Sequence, residues 1–262
     1  MKRIMGGGVL LLAALLAAGC VESTTLIDLE RDGSGTITVR EFFSPQVTQG
    51  MAGMAAMGGL AEDEAPKDFI GDLIKQRTTQ LGEGVTLAGE ERLTNERGWQ
   101  GYRARFAFED VRRLRIAPGS MDAEGAPDED ETLRITFEPG TPARLAVRFP
   151  DAPPDEEGEE APEAPEAMDE MMMQMMRPML QGMRIAALIR FPNAIEETNS
   201  RYVSEDRRTV TLMDVAMEQV LANPEAFRLL QSQSPDTPAR LAEMNIEGVR
   251  LEAPGHTVDV RF

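Results

Sequence analysis

The chain has 262 residues, with 45 acidic against 27 basic side chains and a formal charge of −18 at pH 7. A surface that acidic repels phosphate backbones, which argues against nucleic acid as a partner. A single cysteine excludes an intramolecular disulfide, and a single histidine leaves little room for imidazole chemistry.

Lys2 and Arg3 open the chain, and Ile4 to Ala18 is a run of Gly, Ala, Val, Leu, Ile and Met only. A basic start, a short apolar run and small residues make the layout of a secretory signal peptide. The run is 15 residues long, short of the roughly 20 needed to span a bilayer. It ends Leu15-Leu16-Ala17-Ala18-Gly19-Cys20, which resembles the bacterial lipobox, with Ala17 where that family usually has Leu. The resemblance implies cleavage after residue 19, lipidation of Cys20 and attachment to a membrane through it. Val21 rather than Asp follows the cysteine. In a Gram-negative cell, resemblance to sorted lipoproteins then implies the periplasmic face of the outer membrane. Loss of Lys2 and Arg3 with the leader takes the formal charge from −18 to −20.

Past the leader, segments with period-two alternation recur in pairs, which predicts antiparallel hairpins. The first pair is Thr24–Glu30 and Thr36–Phe43, joined through Asp32-Gly33-Ser34-Gly35. The second is Val85–Leu93 and Trp99–Phe108; the third runs Leu133–Phe137 and returns through Leu145, Val147 and Phe149. The last joins Val249–Leu251 to Val258, Val260 and Phe262 across Pro254-Gly255. Helical patterns fall on Pro66–Leu81, Leu212–Leu221 and Pro224–Gln231, the last opening at an Asn-Pro start. The expected class is α+β, with hairpins forming sheets and helices packed on one face.

Residues 150–167 are Pro-, Ala-, Asp- and Glu-rich with no aromatic and no basic side chain. Such a stretch cannot bury enough apolar surface to offset its ordering entropy, and it reads as a disordered acidic linker. It divides the mature chain into an N-terminal lobe, 20–149, and a C-terminal lobe, 168–262; one domain with a long insertion fits the same pattern.

Three groups of residues are candidates for chemistry. Laid on an EF-hand calcium loop over residues 30–41, Asp32, Ser34, Thr36, Thr38 and Glu41 fall on ligand positions and Gly35 on the sharp turn. Glu30 stands where the first Asp should be, and an EF-hand needs a helix on each side. The competing reading is a plain hairpin turn. A methionine cluster (Met168, Met171, Met172, Met175, Met176, Met179 and Met183, with Met51, Met54 and Met57 upstream) has the soft thioethers that bind Cu(I). Its spacing also builds an ordinary apolar helical face. Trp99, Tyr102, Phe106 and Phe108 are candidates to line an apolar ligand groove, against the plainer reading of a sheet's core face. His256 follows a Pro-Gly turn, and no G-x-S-x-G elbow, P-loop or dinucleotide fingerprint is present. No enzyme activity and no cofactor are expected.

The first lobe resembles the LppM-type domain of bacterial envelope lipoproteins. The resemblance is carried by the lipidated start, the turn at Asp32-Gly33-Ser34-Gly35, the strand start Gly84-Val85-Thr86, and Gly101-Tyr102 with Phe106-Ala107-Phe108 and Asp110. Phe191-Pro192, Asn199 and Thr209-Val210-Thr211 look similar to a later strand pair of such proteins. It implies an anchored, non-catalytic α+β domain of the cell envelope with an apolar groove, binding a lipid-like or protein partner. The acidic linker and the methionine-rich stretch depart from it.

Overall fold

The computed structural model describes residues 21–45, 47–48, 69–117, 131–151, 180, 182–231 and 237–262. The α+β expectation holds: the described residues form two sheets, four α-helices of six residues or more and a 3-10 turn at Val111–Arg113. The first hairpin is β1 (Val21–Leu29) and β2 (Gly35–Phe43). Its turn is tied by the Glu30 amide donating to the Ser34 carbonyl at 2.8 Å, with Gly33 at φ +89°, a conformation that favours glycine. Helix α1 (Phe69–Gln80) precedes the second hairpin, β3 (Thr86–Thr94) and β4 (Gln100–Phe108). There the Asn95 side chain accepts from the amides of Arg97 and Trp99, both at 3.0 Å. The third pair is β5 (Arg134–Glu138) and β6 (Arg144–Arg148).

The second half adds β7 (Arg184–Arg190), β8 (Glu197–Thr198), β9 (Thr209–Ala216), α2 (Met217–Ala222), α3 (Pro224–Gln231), α4 (Thr237–Glu243), β10 (Val249–Leu251) and β11 (Thr257–Arg261). Two expectations change here. Leu212–Leu221 is half strand: β9 takes Thr209–Ala216 and the helix starts only at Met217, because β7 offers that segment a ladder that outweighs helix propensity. The final strand pair is not a hairpin. β10 pairs with β9, whereas β11 crosses to pair with β6 and β8. Helix α3 begins as expected, its first amides (Glu225 and Ala226) capped by the Asn223 side chain at 3.0 and 3.1 Å.

The large sheet runs β10-β9-β7-β1-β2-β4-β3 and the small one β5-β6-β11-β8. Strand β1 pairs antiparallel with β2 and parallel with β7. Both sheets therefore take strands from each side of the acidic stretch, so residues 150–167 do not separate one sheet from another; of that stretch, 152–167 lie outside the described residues.

On the inner face of the large sheet, Ile27, Ile37 and Phe106 stand in one row. They belong to a single apolar cluster with Ile135, Phe137, Leu145, Val147, Val258 and Val260 of the small sheet. Helix α1 adds Ile74 to it. Burial of apolar side chains from both sheets in one cluster is the main source of cohesion. Alternate positions on the other face carry cross-strand ion pairs: Arg40–Glu22 at 3.6 Å, Arg184–Asp214 at 2.7 Å, Arg190–Asp28 and Arg103–Glu91. A second cluster gathers Met183, Met217, Val220, Phe227, Leu241 and Val249, packing α2–α4 beside β9 and β10. Among the described residues no helix is long and apolar enough to cross a membrane.

Candidate functional site

Residues 30–41 form a hairpin turn with a strand on each side, not the helices an EF-hand requires. Asp32 and Ser34 satisfy one another: the Asp32 carboxylate accepts from the Ser34 amide at 2.9 Å and its hydroxyl at 2.6 Å. Those two bonds hold the Asp32 carboxyl below its ordinary pKa. Thr36 and Thr38 lie on one face of β2, and Glu41, at odd register, lies on the other. The five candidate ligands therefore do not converge, and among the described residues no group of three or more His, Cys, Asp or Glu is placed to hold a metal. Of the methionine cluster, Met183 is buried in the helical core. Met51, Met54, Met57, Met168, Met171, Met172, Met175, Met176 and Met179 lie outside the described residues, as does Cys20.

The four aromatic candidates do not form a groove together. Tyr102, Phe106 and Phe108 are buried in the inner core. Trp99 packs instead on Phe42, with Leu93 beside them. The Arg97 guanidinium lies 5.3 Å from the Trp99 ring centre and that of Arg40 5.4 Å from Phe42. Gly101 makes this possible: a Cβ there would sit 2.8 Å from the Phe42 ring and 1.9 Å from the Glu41 carbonyl oxygen.

Sequence reasoning missed a polar row across the inner face. Register sets Ser23, Glu41 and Tyr102 side by side on β1, β2 and β4. Glu41 is 4 % exposed and Tyr102 wholly buried. The Tyr102 hydroxyl donates to Glu41 Oε2 at 2.7 Å, while the Ser23 hydroxyl reaches Oε1 at 3.4 Å. From α1, Arg77 donates to Oε1 at 2.7 Å and also reaches Gln80. Burial opposes the Arg77 charge, yet the Glu41 carboxylate more than offsets it, and its pKa is raised. Burial, then the same carboxylate, pushes the Tyr102 phenol well above its usual value. The signal was present in the sequence: Glu41 interrupts an inward series with Ile37 and Val39, and Arg77 sits three residues after Ile74 on the buried side of α1.

A second buried carboxylate, Glu252, accepts from the Ser200 hydroxyl at 2.8 Å and stands 3.2 Å from His256 Nδ1. Glu252 thus holds Ser200 through Oε1 and His256 through Oε2. The cluster pins the 198–202 segment to the β10–β11 connection, and His256 occupies a turn as expected. At the β3 edge, beside the Glu41 row, a 420 Å³ cavity is lined by Ile70, Arg92, Leu93, Thr94, Gln100 and Gly101.

No protein-family model matches the chain, and no curated protein matches it. Among solved structures, the folded domain of the LppM protein of Mycobacterium tuberculosis, determined by NMR, is similar to it with a TM-score of 0.35 and 9% identity. The match covers 100% of this chain and 96% of that one. A likeness so slight assigns neither a family nor a ligand.

Proposed function

We propose that the chain is an exported lipoprotein, anchored in the cell envelope through acylated Cys20, whose α+β body binds a lipid-like partner and catalyses nothing. The carrying observation is where the lipobox-like run stops. It ends at Cys20, and Val21, the next residue, is buried and pairs with Phe43 of β2. Several acyl chains on one residue, at about 0.8 kcal/mol per buried methylene, make such an attachment durable. Val21 after the cysteine favours the periplasmic face of the outer membrane in a Gram-negative cell.

A lipid-like ligand is supported by the open groove at the β3 edge, where Ile70 and Leu93 lie beside Arg92. The test has two arms. Cys20→Ser should move the chain from the membrane pellet to the soluble fraction, and retention in the pellet would refute anchoring. Protein extracted in mild detergent should carry a noncovalent lipid in native mass spectrometry, and Arg92→Glu should reduce it. Lipid-free protein, or equal lipid in the variant, would refute the ligand assignment.

A further inference from the structure

The packed layers lie on one side of the large sheet. The small sheet and α1 meet that side in the cluster around Ile27, Ile37 and Phe106. Helices α2–α4 meet it too, against Ile185, Val215 and Val249, which register sets in one row with inward-facing Ser23. On the other face the only apolar cluster among the described residues is Phe42 with Trp99 and Leu93, near one end.

One row across that face runs Arg105, Thr38, Leu26, Leu188 and Thr211, from β4 to β9. Leu26 and Leu188 are partly buried and belong to none of the apolar clusters. Guanidiniums flank them. Arg40, Arg103 and Arg250 stand in the next row on one side and Arg190 on the other, with Arg184 farther out on β7. Six arginines thus share the face with four carboxylates, Glu22, Asp28, Glu91 and Asp214, on a chain of formal charge −18. Arg40, Arg184 and Arg190 are 43, 50 and 53 % exposed, whereas the acids they pair with are 23, 15 and 25 % exposed. Arg105 and Arg250 are exposed and have no ion-pair partner among the described residues. The outermost layer of this face is positive.

We infer that this face docks another protein, through an acidic patch with apolar side chains at its centre. Guanidiniums engage carboxylates in paired hydrogen bonds, which makes arginine the usual choice for such contacts. Strands β9, β7, β1, β2 and β4 at about 4.8 Å each, and nine residues of β1 at about 3.3 Å each, give roughly 24 by 30 Å. That is about 700 Å², near the roughly 800 Å² that each partner of a stable complex buries. An apolar centre inside a polar rim is the anatomy of a protein interface. Leu26 and Leu188 lie in the plane of the sheet below the longer arginines, so acyl chains held behind a headgroup layer do not reach them. A protein side chain can come down to them. A second copy would bring the same positive charge to the contact. None of the row's residues lines the β3-edge groove, so the two surfaces can fail separately.

The experiment uses the full chain in nanodiscs of phosphatidylcholine and phosphatidylglycerol. The probe is a fluorescent synthetic amphipathic helix whose leucine stripe is flanked by glutamates, and anisotropy reads its binding. Native circular dichroism qualifies each variant. The helix should bind, and binding should weaken as salt rises. Arg105→Glu should raise Kd by about fivefold or more, while Arg228→Glu on α3, with the same change in net charge, should leave it unaltered. The same peptide with glutamine for glutamate should not bind. No binding of the glutamate peptide, or equal losses in the two variants, overturns the proposal. Two further readings identify other occupants and overturn it as well. One is strong quenching of bimane on Thr38→Cys by a headgroup-nitroxide lipid, which means that the face lies on the membrane. The other is a dimer in analytical ultracentrifugation that Arg105→Glu dissociates.

Discussion

Arg77 on α1 places a guanidinium nitrogen 2.7 Å from Oε1 of Glu41 on β2, joining the helix to the sheet through a carboxylate that is 4 % exposed. Tyr102 holds the other carboxylate oxygen, so the three side chains form one closed unit. Removing a member of such a unit leaves the others buried without partners, which costs more than the unit itself contributes.

Glu41→Ala should therefore destabilise the fold by about 3–5 kcal/mol. The double change Glu41→Leu with Arg77→Met should cost less than Glu41→Leu alone, because both charges leave the interior together. Urea unfolding of the four corners of that cycle measures the coupling. Additive losses would contradict the buried-pair account.

Alkaline pH should expose the same unit through Tyr102. Its folded pKa is raised, first by burial and then by Glu41, with Arg77 acting in the opposite direction. A raised folded value means the contribution is intact below the unfolded pKa of about 10 and is lost as pH climbs toward the folded one. Stability should fall above that pH in the parent, and Tyr102→Phe should flatten the fall. Phenolate absorbance followed together with circular dichroism checks this: Tyr102 should ionise only as the fold is lost.

Gly101→Ala should cost at least about 1–3 kcal/mol, since its Cβ has no room beside the Glu41 carbonyl and the Phe42 ring. Gly89→Ala is the matched control in β3, where a Cβ meets nothing within 4 Å. It should be neutral or stabilise by about 0.5–1 kcal/mol, the usual penalty of a strand glycine. Thermal unfolding of both variants gives the comparison.

The acid side should depend on three turns. Asp32 is held low by the Ser34 hydroxyl and amide, Asp110 chiefly by the Arg112 side chain, and Asp206 by the Ser204 hydroxyl and the Arg208 amide. A lowered folded pKa gives stability that is present above the unfolded value of about 3.9 and lost as pH falls through the folded one. Changing all three to Asn should reduce the slope of stability against pH below 4. An unchanged slope would contradict the assignment.

The sequence made the hairpins legible because most strands there alternate dry and wet positions, β3 excepted, where no residue is buried, so β1 to β6 fall within a few residues of expectation. Strand β7 escaped notice: Ile185-Ala186-Ala187-Leu188-Ile189 is continuously apolar, and alternation says nothing about a strand with neighbours on both edges and little polar face. The alternation in β10 and β11 is real, but it is the same whether the two pair together or serve different sheets. The loop at residues 30–41 matched a calcium pattern by spacing along the chain, whereas strand geometry sends Thr36 and Glu41 to opposite faces. The Glu41 unit joins residues 18, 36 and 61 positions apart, a separation that only sheet register brings together. Its trace in the sequence is one acid and one base, each on an otherwise apolar stripe.

Tandem mass spectrometry of the N-terminal peptide, from protein extracted from membranes of the native host, tests the anchoring on which the functional account stands. The account predicts a mature chain that begins at Cys20 and carries the mass of covalent acyl groups on that residue. A chain that begins at Met1, or at any residue other than Cys20, or an unmodified Cys20, would contradict it.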